Sequence, residues 1–285
     1  MRESIMKAEN VFYTYEDGTK ALKNISFEIK KGEKIAFIGG NGSGKSTMFL
    51  CLNGILKPAN GKIYYNEEPL DYSRKGLLKL RSKVGIVFQD PDNQLFSASV
   101  YEEISFGILN LGVPEEEARN KVENIIEELD ITSFRKKPTH FLSGGQKKRV
   151  SIADILVMNP EVIILDEPTS ALDPKYTEVV NNMINNLTEK GITVILSTHD
   201  VNQALKWADR VFVFKDGEII KEGSPEKVFL DNETLFKANL LQPDVIKLYK
   251  NLCNKGILNS NLKVPREISI LEKYIEDSIN SKFKQ

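Results

Sequence analysis

The sequence predicts an α/β fold built on a parallel sheet covered on both faces, and three observations predict it. A G-x-x-x-x-G-K-[ST] loop, "GGNGSGKS" at Gly39 to Ser46, follows an apolar strand-like run and opens a helical one. Strand, glycine loop, helix is the order that a phosphate-binding loop requires. Short runs with little polar alternation, "EVIILDEP" and "ITVILSTHD", are separated by the helical stretch "PKYTEVVNNMINNLTEK", and strands buried on both faces read in this way. The chain also opens with β-rich runs before any strong helical pattern, which places antiparallel strands ahead of the parallel core.

Taken in order, "NVFYTY" and "ISFEI" read as strands joined by a hairpin turn at "EDG", Glu16 to Gly18, and "KIAFIG" leads into the glycine loop. "KSTMFLCLNGIL" turns helical and stops at Gly54, and "GKIYYNEEPL" brings back a strand and a turn. From about Val100 to Asn159 helical signals dominate: "VYEEISFGILNLG", then "PEEEARNKVENIIEELDI" with proline at its start and acids in its first turn, then "GGQKKRVSIADILVMN". This is a helical block inserted between strands. The pattern then returns to strand and helix, with the helix "VNQALKWA" and a hairpin "RVFVFKDGEII" turning at Asp216-Gly217. Beyond Ser224 a tail rich in Lys, Asn and Ile predicts two or three short amphipathic helices, one opening at "QPDVIKLYKNL" and one at "PREISILEKYIEDSI".

Composition narrows the function. With 39 Lys plus Arg against 40 Asp plus Glu the net charge is -1, so no global field draws the chain to nucleic acid or anionic lipid. Cys51 and Cys253 are far apart and in no metal-like spacing, which fits a reduced cytosolic protein and two bland core residues. The opening "MRESIMKAENVFYTY" lacks the apolar stretch of a signal peptide, and runs such as "VIIL" and "VFVF" are far short of a bilayer span. Secretion and a direct membrane span are therefore not expected.

The residues with chemistry cluster at strand ends. Glycines let the amides of the loop Gly39, Gly40, Asn41, Gly42, Ser43, Gly44 curl round a β-phosphate, Lys45 reaches the β and γ oxygens, and the Ser46 hydroxyl ligates Mg2+, with Thr47 following. Asp166 and Glu167 end a buried strand, where an α/β sheet presents its ligand groups. Asp166 is expected to hold Mg2+ through water, and Glu167 to polarise the attacking water. His199 ends another apolar strand, which favours contact with a γ-phosphate over a satisfied surface position; Asp200 is placed to cap the helix that follows. Gln89 in "GIVFQD" is either a plain loop residue or an amide reaching the metal or its water. Tyr15 either packs in its strand or stacks on adenine.

One further stretch, "HFLSGGQKKRV" at His140 to Val150, carries a second glycine turn. It has no Lys-Ser pair after the glycines, so it is not a second phosphate loop of the first type. As a helix N-terminus with a free hydroxyl at Ser143 and amides at Gly144 and Gly145, it suits a terminal phosphate that something else brings to it. Lys147, Lys148 and Arg149 read as a solvated face or as partners of carboxylates.

The phosphate loop, Gln89, "LSGGQ", "ILDEP", "SALD" and His199, in this order, make the sequence resemble the ATP-binding cassette (ABC) ATPases over roughly residues 5 to 235. The resemblance implies an ABC form of the P-loop NTPase fold. Its parts are a RecA-like parallel core, an antiparallel β subdomain, a helical signature subdomain inserted at about 97–158 and a short helical extension at 236–285. It implies that Tyr15 stacks on adenine and that Gln89 senses a membrane partner. Leu142, Ser143, Gly144, Gly145 and Gln146 would contact ATP of a second subunit, and Ser170, Ala171, Leu172 and Asp173 would form a loop crossing to that subunit. Lys45, Gln89, Glu167 and His199 would be the catalytic set; Ser46, Gln89 and Asp166 would hold Mg2+.

"FQDPDNQLF" and the tail "LLQPDVIKLYKNL" are similar to the energy-coupling-factor branch, in particular its cobalt-importer ATPases. That likeness implies an ATPase on the cytoplasmic face of the cell membrane. Its partners would be a second ATPase subunit, identical or paralogous, a transmembrane T-component and a substrate-binding membrane subunit. Vitamin or nickel import is the alternative. Asp90, Asp92 and Gln94 are expected to meet arginines of a coupling helix. Gly40 and Asp154 depart from the family pattern: Gly40 harmlessly, because backbone amides do the work there, and Asp154 without an evident physical reason. A duplicated cassette or long coiled coil, the mark of non-transport relatives, is not seen; a P-loop kinase would have no use for "LSGGQ", and a non-hydrolysing scaffold would be expected to lack Lys45 or Glu167.

Overall fold

The computed structural model describes residues 3–283. The chain opens with β1 (Ser4–Thr14) and β2 (Lys20–Lys30), paired antiparallel so that Ala8 faces Phe27 and Val11 faces Ile25. Tyr15 N–H donates to the Thr19 carbonyl and Gly18 N–H to the Tyr15 carbonyl, closing the turn expected at "EDG". Along β2 the buried residues Leu22, Ile25, Phe27 and Ile29 face inward between exposed ones, as in a sheet with one wet face. β4 (Asn60–Tyr65) and β5 (Glu68–Pro69) complete a four-stranded sheet of order β2-β1-β4-β5.

The second sheet is assembled from β3 (Lys34–Ile38), β6 (Val84–Val87), β7 (Val162–Leu165), β8 (Thr193–Ser197), β9 (Arg210–Lys215) and β10 (Glu218–Gly223). Its order is β10-β9-β3-β8-β7-β6, parallel except for the β9–β10 hairpin. That hairpin turns at Asp216 and Gly217, which have φ of 49° and 84°, the pair of positive values that a tight two-residue turn needs. Strands β6, β7 and β8 are buried at every position, which is why their sequences show no alternation.

One core lies between the two sheets and around α1 (Lys45–Leu52), which buries Met48, Phe49, Cys51 and Leu52. Phe37 sits at its centre, with ring centroids of Phe214, Phe49, Phe212 and Phe27 at 4.6, 5.2, 5.4 and 5.6 Å. Each such ring contributes about 1.5–3 kcal/mol by leaving water, so this cluster fixes the face of the sheet beneath the glycine loop. Burial pushes the Cys51 thiol up to about 12, so it stays an inert core residue.

The other core covers the opposite face of the parallel sheet. Besides α2 (Arg74–Arg81), which packs Leu80 toward the first core, the inserted helices are α3 (Val100–Asn110), α4 (Glu115–Glu128) and α5 (Gly144–Leu156). α6 (Pro174–Glu189) and α7 (Val201–Trp207) are the crossovers that flank β8. The tail forms α8 (Pro225–Leu230), α9 (Asn232–Lys237), α10 (Asp244–Asn254) and α11 (Ile268–Phe283), four helices where the sequence predicted two or three. The two shortest have only six residues each, too few for an amphipathic period to show. Val228, Phe229, Leu235, Val245, Ile246, Tyr249 and Leu271 share one core with Val211 and Val213. Arg266 ties the tail further, with Nε and an Nη on the two oxygens of Glu226 at 2.7 and 3.0 Å and its other Nη on the Ala208 carbonyl at 2.8 Å. The expected division at 235/236 falls inside α9, and residues 284–285 of the extension lie outside the described residues.

Candidate active site

Four neighbouring strands, β3, β8, β7 and β6, end at the same edge of the parallel sheet, in register at Phe37–Ser197, Leu165–Leu196 and Val87–Leu165. Their carboxyl ends deliver, in that spatial order, the glycine loop, His199, the pair Asp166-Glu167, and Gln89. This is the edge at which parallel sheets place ligands.

Gly39 opens the loop at φ 149°, and a Cβ there would lie 2.2 Å from the Phe214 carbonyl oxygen, so only glycine fits. Lys45 is buried, and its Nζ donates to the carbonyls of Gly39 and Gly40 at 2.8 and 3.1 Å and to Ser43 Oγ at 3.3 Å. Burial holds the Lys45 ammonium below its ordinary range, against the pull of Glu167 and Asp166. Asn41, Gly42 and Ser46 are exposed, while Ser43, Gly44 and Thr47 are buried. Tyr15 reaches this loop: its hydroxyl is 3.0 Å from Thr47 Oγ1, and its ring meets Tyr13 edge-on at 5.0 Å.

Asp166 and Glu167 are both buried, yet both are accounted for. Ser197 Oγ donates to Asp166 Oδ1 at 2.6 Å and accepts the Glu167 N–H at 2.8 Å; Asp166 N–H in turn donates to the Val87 carbonyl at 2.9 Å. Glu167 has φ 44°, a left-handed backbone held in place by these bonds. Its Oε2 lies 2.9 Å from Nδ1 of His199, whose side chain is largely exposed. Asp200 caps α7 through the amides of Asn202 and Gln203, as expected. Sequence reasoning passed over Ser197; the available signal was a single hydroxyl at the end of an otherwise apolar strand.

Gln89 is exposed, and its carbonyl and that of Phe88 each accept from Lys148 Nζ at 2.9 Å. Lys148 is therefore not on a solvated face as expected: it is 1 % exposed, and burial pulls its pKa down to about 8. Lys147 pairs with the Asp92 carboxylate at 2.6 Å, and Arg149 with Asp130 at 3.1 Å, the carboxylate-partner reading. Asp92 and Gln94, expected to face a coupling helix, are engaged within the chain. Gln94 Nε2 donates to the Ser151 carbonyl at 2.8 Å and to Asp154 Oδ2 at 3.2 Å, which supplies the physical reason for Asp154. The Ser46 hydroxyl, the Asp166 carboxylate and the Gln89 amide each offer an oxygen, the donor chemistry that fits a hard cation such as Mg2+.

The second glycine turn stands apart from these groups. Ser143 caps α5, with its Oγ accepting from Gln146 N–H at 3.4 Å while Gln146 Oε1 accepts from Ser143 N–H at 3.1 Å. The Ser143 hydroxyl is thus already engaged as an acceptor, while its proton remains free to donate. The S-x-x-Q spacing of this capping box was the signal in the sequence. Leu142 is buried, Gly144 exposed, and Gly145 packs so closely that a Cβ would lie 2.5 Å from Tyr176 Cδ1. Among the described residues, no hydrogen bond joins Leu142–Gln146 to the loop 39–47. In the segment 170–173, Ser170 N–H donates to the Glu167 carbonyl at 3.1 Å, Ala171 has φ 60°, Leu172 N–H donates to the Thr169 carbonyl at 3.3 Å, and Asp173 caps α6 through Tyr176 N–H at 3.1 Å.

Residues 22–170 match the ABC transporter family. The chain is 50% identical over 256 residues to the energy-coupling factor transporter ATP-binding protein EcfA2 of Clostridium perfringens, covering 90% of each. It is 46% identical over 263 residues to EcfA of Methanocaldococcus jannaschii, covering 92% of each. Among solved structures it is similar to CbiO1 of Clostridium perfringens, part of the ABC transporter complex CbiONQ. That match has 50% identity and a TM-score of 0.74, covering 87% of this chain and 99% of that one. It is also similar to the dimeric ATP-binding cassette MJ0796 bound to ADP and Pi, with 34% identity and a TM-score of 0.71, covering 78% of this chain and 99% of that one. Four sheet-edge groups around a glycine loop, on a chain alike over nine-tenths of its length to the two EcfA proteins, have one reading: the chain belongs to the ABC transporter ATPases, among the energy-coupling factor ATP-binding proteins.

Proposed function

We propose that the chain hydrolyses ATP with Mg2+ as one half of a head-to-tail pair, and that this drives the membrane subunits of a cobalt importer. The observation that carries the reading is the Glu167–His199 contact of 2.9 Å at the edge where the glycine loop and Asp166 also end. Lys45, with Gly39, Gly40, Asn41, Gly42, Ser43, Gly44, Ser46 and Thr47, binds the phosphates, and Tyr15 meets the adenine. Glu167 takes the proton of the attacking water. His199, its ring oriented through Nδ1, leaves Nε2 for the γ-phosphate. Ser46, Gln89 and Asp166 hold Mg2+, which when bound neutralises charge on the β and γ oxygens. Catalysis is then mainly positioning, which the buried Asp166–Ser197–Glu167 unit, joined through the Ser197 hydroxyl, provides.

Leu142, Ser143, Gly144, Gly145 and Gln146 serve the ATP of the second subunit, and Ser170, Ala171, Leu172 and Asp173 cross to it; the lack, among the described residues, of a hydrogen bond from 142–146 to the chain's own loop supports this arrangement. The dimeric relative bound to ADP and Pi supports the pairing. The cassette is residues 5–235 with the helical block at about 97–158, and 236–285 is its extension. The other partners are a transmembrane T-component and a substrate-binding membrane subunit, with the chain held peripherally at the cytoplasmic face. No described helix is long and apolar enough to cross a membrane. Cobalt is supported by the likeness of "FQDPDNQLF" and by the 50% identity to CbiO1 of the CbiONQ complex. Import of a vitamin or of nickel is the second reading, and the names of the energy-coupling factor relatives are compatible with it.

The test is Glu167→Gln, which keeps the side chain's shape and removes the base. With ATP and Mg2+ it should elute as a trapped dimer in size-exclusion runs, with hydrolysis abolished. A variant that stays monomeric would count against the paired site. Genes for cobalt-importer membrane subunits beside this one would support cobalt, and an isolated pair of cassette genes would favour the vitamin module.

A further inference from the structure

α5 turns Lys147, Lys148, Ser151 and Asp154 toward the segment 88–94, a spacing that places them along one helix face. Lys148 is the unusual member. It is 1 % exposed, and its ammonium donates to two consecutive backbone carbonyls, Phe88 and Gln89, at 2.9 Å each. An apolar side chain would occupy the position without the cost of burying a charge. Lys147 to Asp92 at 2.6 Å and Gln94 to the Ser151 carbonyl at 2.8 Å tie the same segment further on. On its other side the segment continues β6, whose Val87 carbonyl accepts from Asp166 N–H at 2.9 Å. The backbone at Gln89 is thus clamped between the carboxylate-bearing strand and α5.

We infer that Lys148 is a positioning residue for hydrolysis: by holding the Phe88 and Gln89 carbonyls it sets the Gln89 amide at the metal side of the nucleotide. This rests on the role given to Gln89 above. Because the same helix begins with Ser143–Gln146, the latch also joins a group of one ATP site to the motif that serves the other.

The test uses the full-length protein and its Mg2+-dependent ATPase activity, comparing Lys148→Met, Lys148→Gln, Gln89→Ala and the double variant Gln89→Ala/Lys148→Met. Loss of an outer support of a metal ligand typically costs 10–100-fold in metal affinity or activity, so Lys148→Met should raise the half-saturating Mg2+ concentration about ten-fold. ATP affinity measured with the metal chelated should not change, because the glycine loop is untouched. Lys148→Gln, which keeps two N–H donors on a shorter arm, should recover part of the effect, and it carries the comparison should Lys148→Met not fold. In the Gln89→Ala background Lys148→Met should add nothing. Additive effects, an unchanged Mg2+ requirement in Lys148→Met, or an equal loss of chelated ATP affinity would overturn the inference alone. A Gln89→Ala variant with an unchanged Mg2+ requirement would overturn the role of Gln89 and the inference with it.

Discussion

Asp154→Asn isolates one buried carboxyl and gives it a sign. Asp154 lies on α5 under the helical block, where its Oδ2 accepts from Gln94 Nε2 at 3.2 Å and Glu103 stands nearby as a second acid. Glu103 is itself held by the amides of Phe96 and Ser97 at 2.9 and 2.6 Å. Burial is the main cause that raises the Asp154 carboxyl from 3.8 to about 7, with Glu103 adding to it and the Gln94 bond opposing. The folded value lies above the unfolded one. Between pH 4 and pH 7 the unfolded chain therefore loses a proton that the folded chain keeps, and stability falls as pH rises through that window. At about 1.36 kcal/mol per unit the full shift amounts to about 4 kcal/mol, and the partial solvent contact of the side chain reduces this to roughly 2–4 kcal/mol. Asparagine keeps the acceptor for Gln94 and cannot ionise. Urea unfolding at pH 8 should then show the variant more stable by roughly 2–4 kcal/mol, with near equality at pH 4. Equal stability at pH 8, or a variant weakened there, would refute a raised Asp154.

Two further substitutions probe the second glycine turn. Ser143→Arg should abolish hydrolysis while leaving ATP binding to the isolated chain nearly intact in a titration; lost cap bonding costs about 1 kcal/mol, too little to unfold the domain. A large loss of monomer affinity would mean that the turn acts on its own chain's nucleotide. Gly145→Ala places a Cβ 2.5 Å from Tyr176 Cδ1, and such overpacking should lower the unfolding free energy by about 1–3 kcal/mol in urea. An unchanged value would mean that the Tyr176 ring moves aside freely.

What the sequence made legible was local. The loop at 39–47 needs positive φ and close backbone approach at fixed positions, and glycine records both in the sequence itself. The ends of β7 and β8 were legible because an uninterrupted apolar run followed by acids or histidine marks a buried strand meeting a site. The parts that stayed dark depend on partners distant in the chain. Asp154 meets Gln94 across 60 residues, and Lys148 meets Phe88 and Gln89 across 60 and 59. No periodicity encodes such pairs. A lysine on a helix reads as solvated until the fold shows that the segment packed over it offers two carbonyls. Ser197 was missed for a related reason: its hydroxyl is useful only because β7 and β8 are neighbours in register, which the order of strands along the chain does not state.

The two glycine turns differ in how their donors are engaged within the chain, and the proposed pairing gives each a separate use. In the first, Lys45 folds over its own loop and Gly217 N–H holds the Ser43 carbonyl, so the turn is braced by the chain that owns it. In the second, the capping box pairs Ser143 N–H and Gln146 N–H with each other's side chains. The amides of Gly144 and Gly145 find no acceptor among the described residues. A helix start left with unpaired amides attracts an anion, and no side chain among the described residues is bonded to these amides. In the pairing proposed above, the turn would be completed by a second nucleotide-bearing surface. On the proposed pairing, ATP would stabilise that meeting by binding the closed arrangement more tightly than the open one, and hydrolysis would remove the difference.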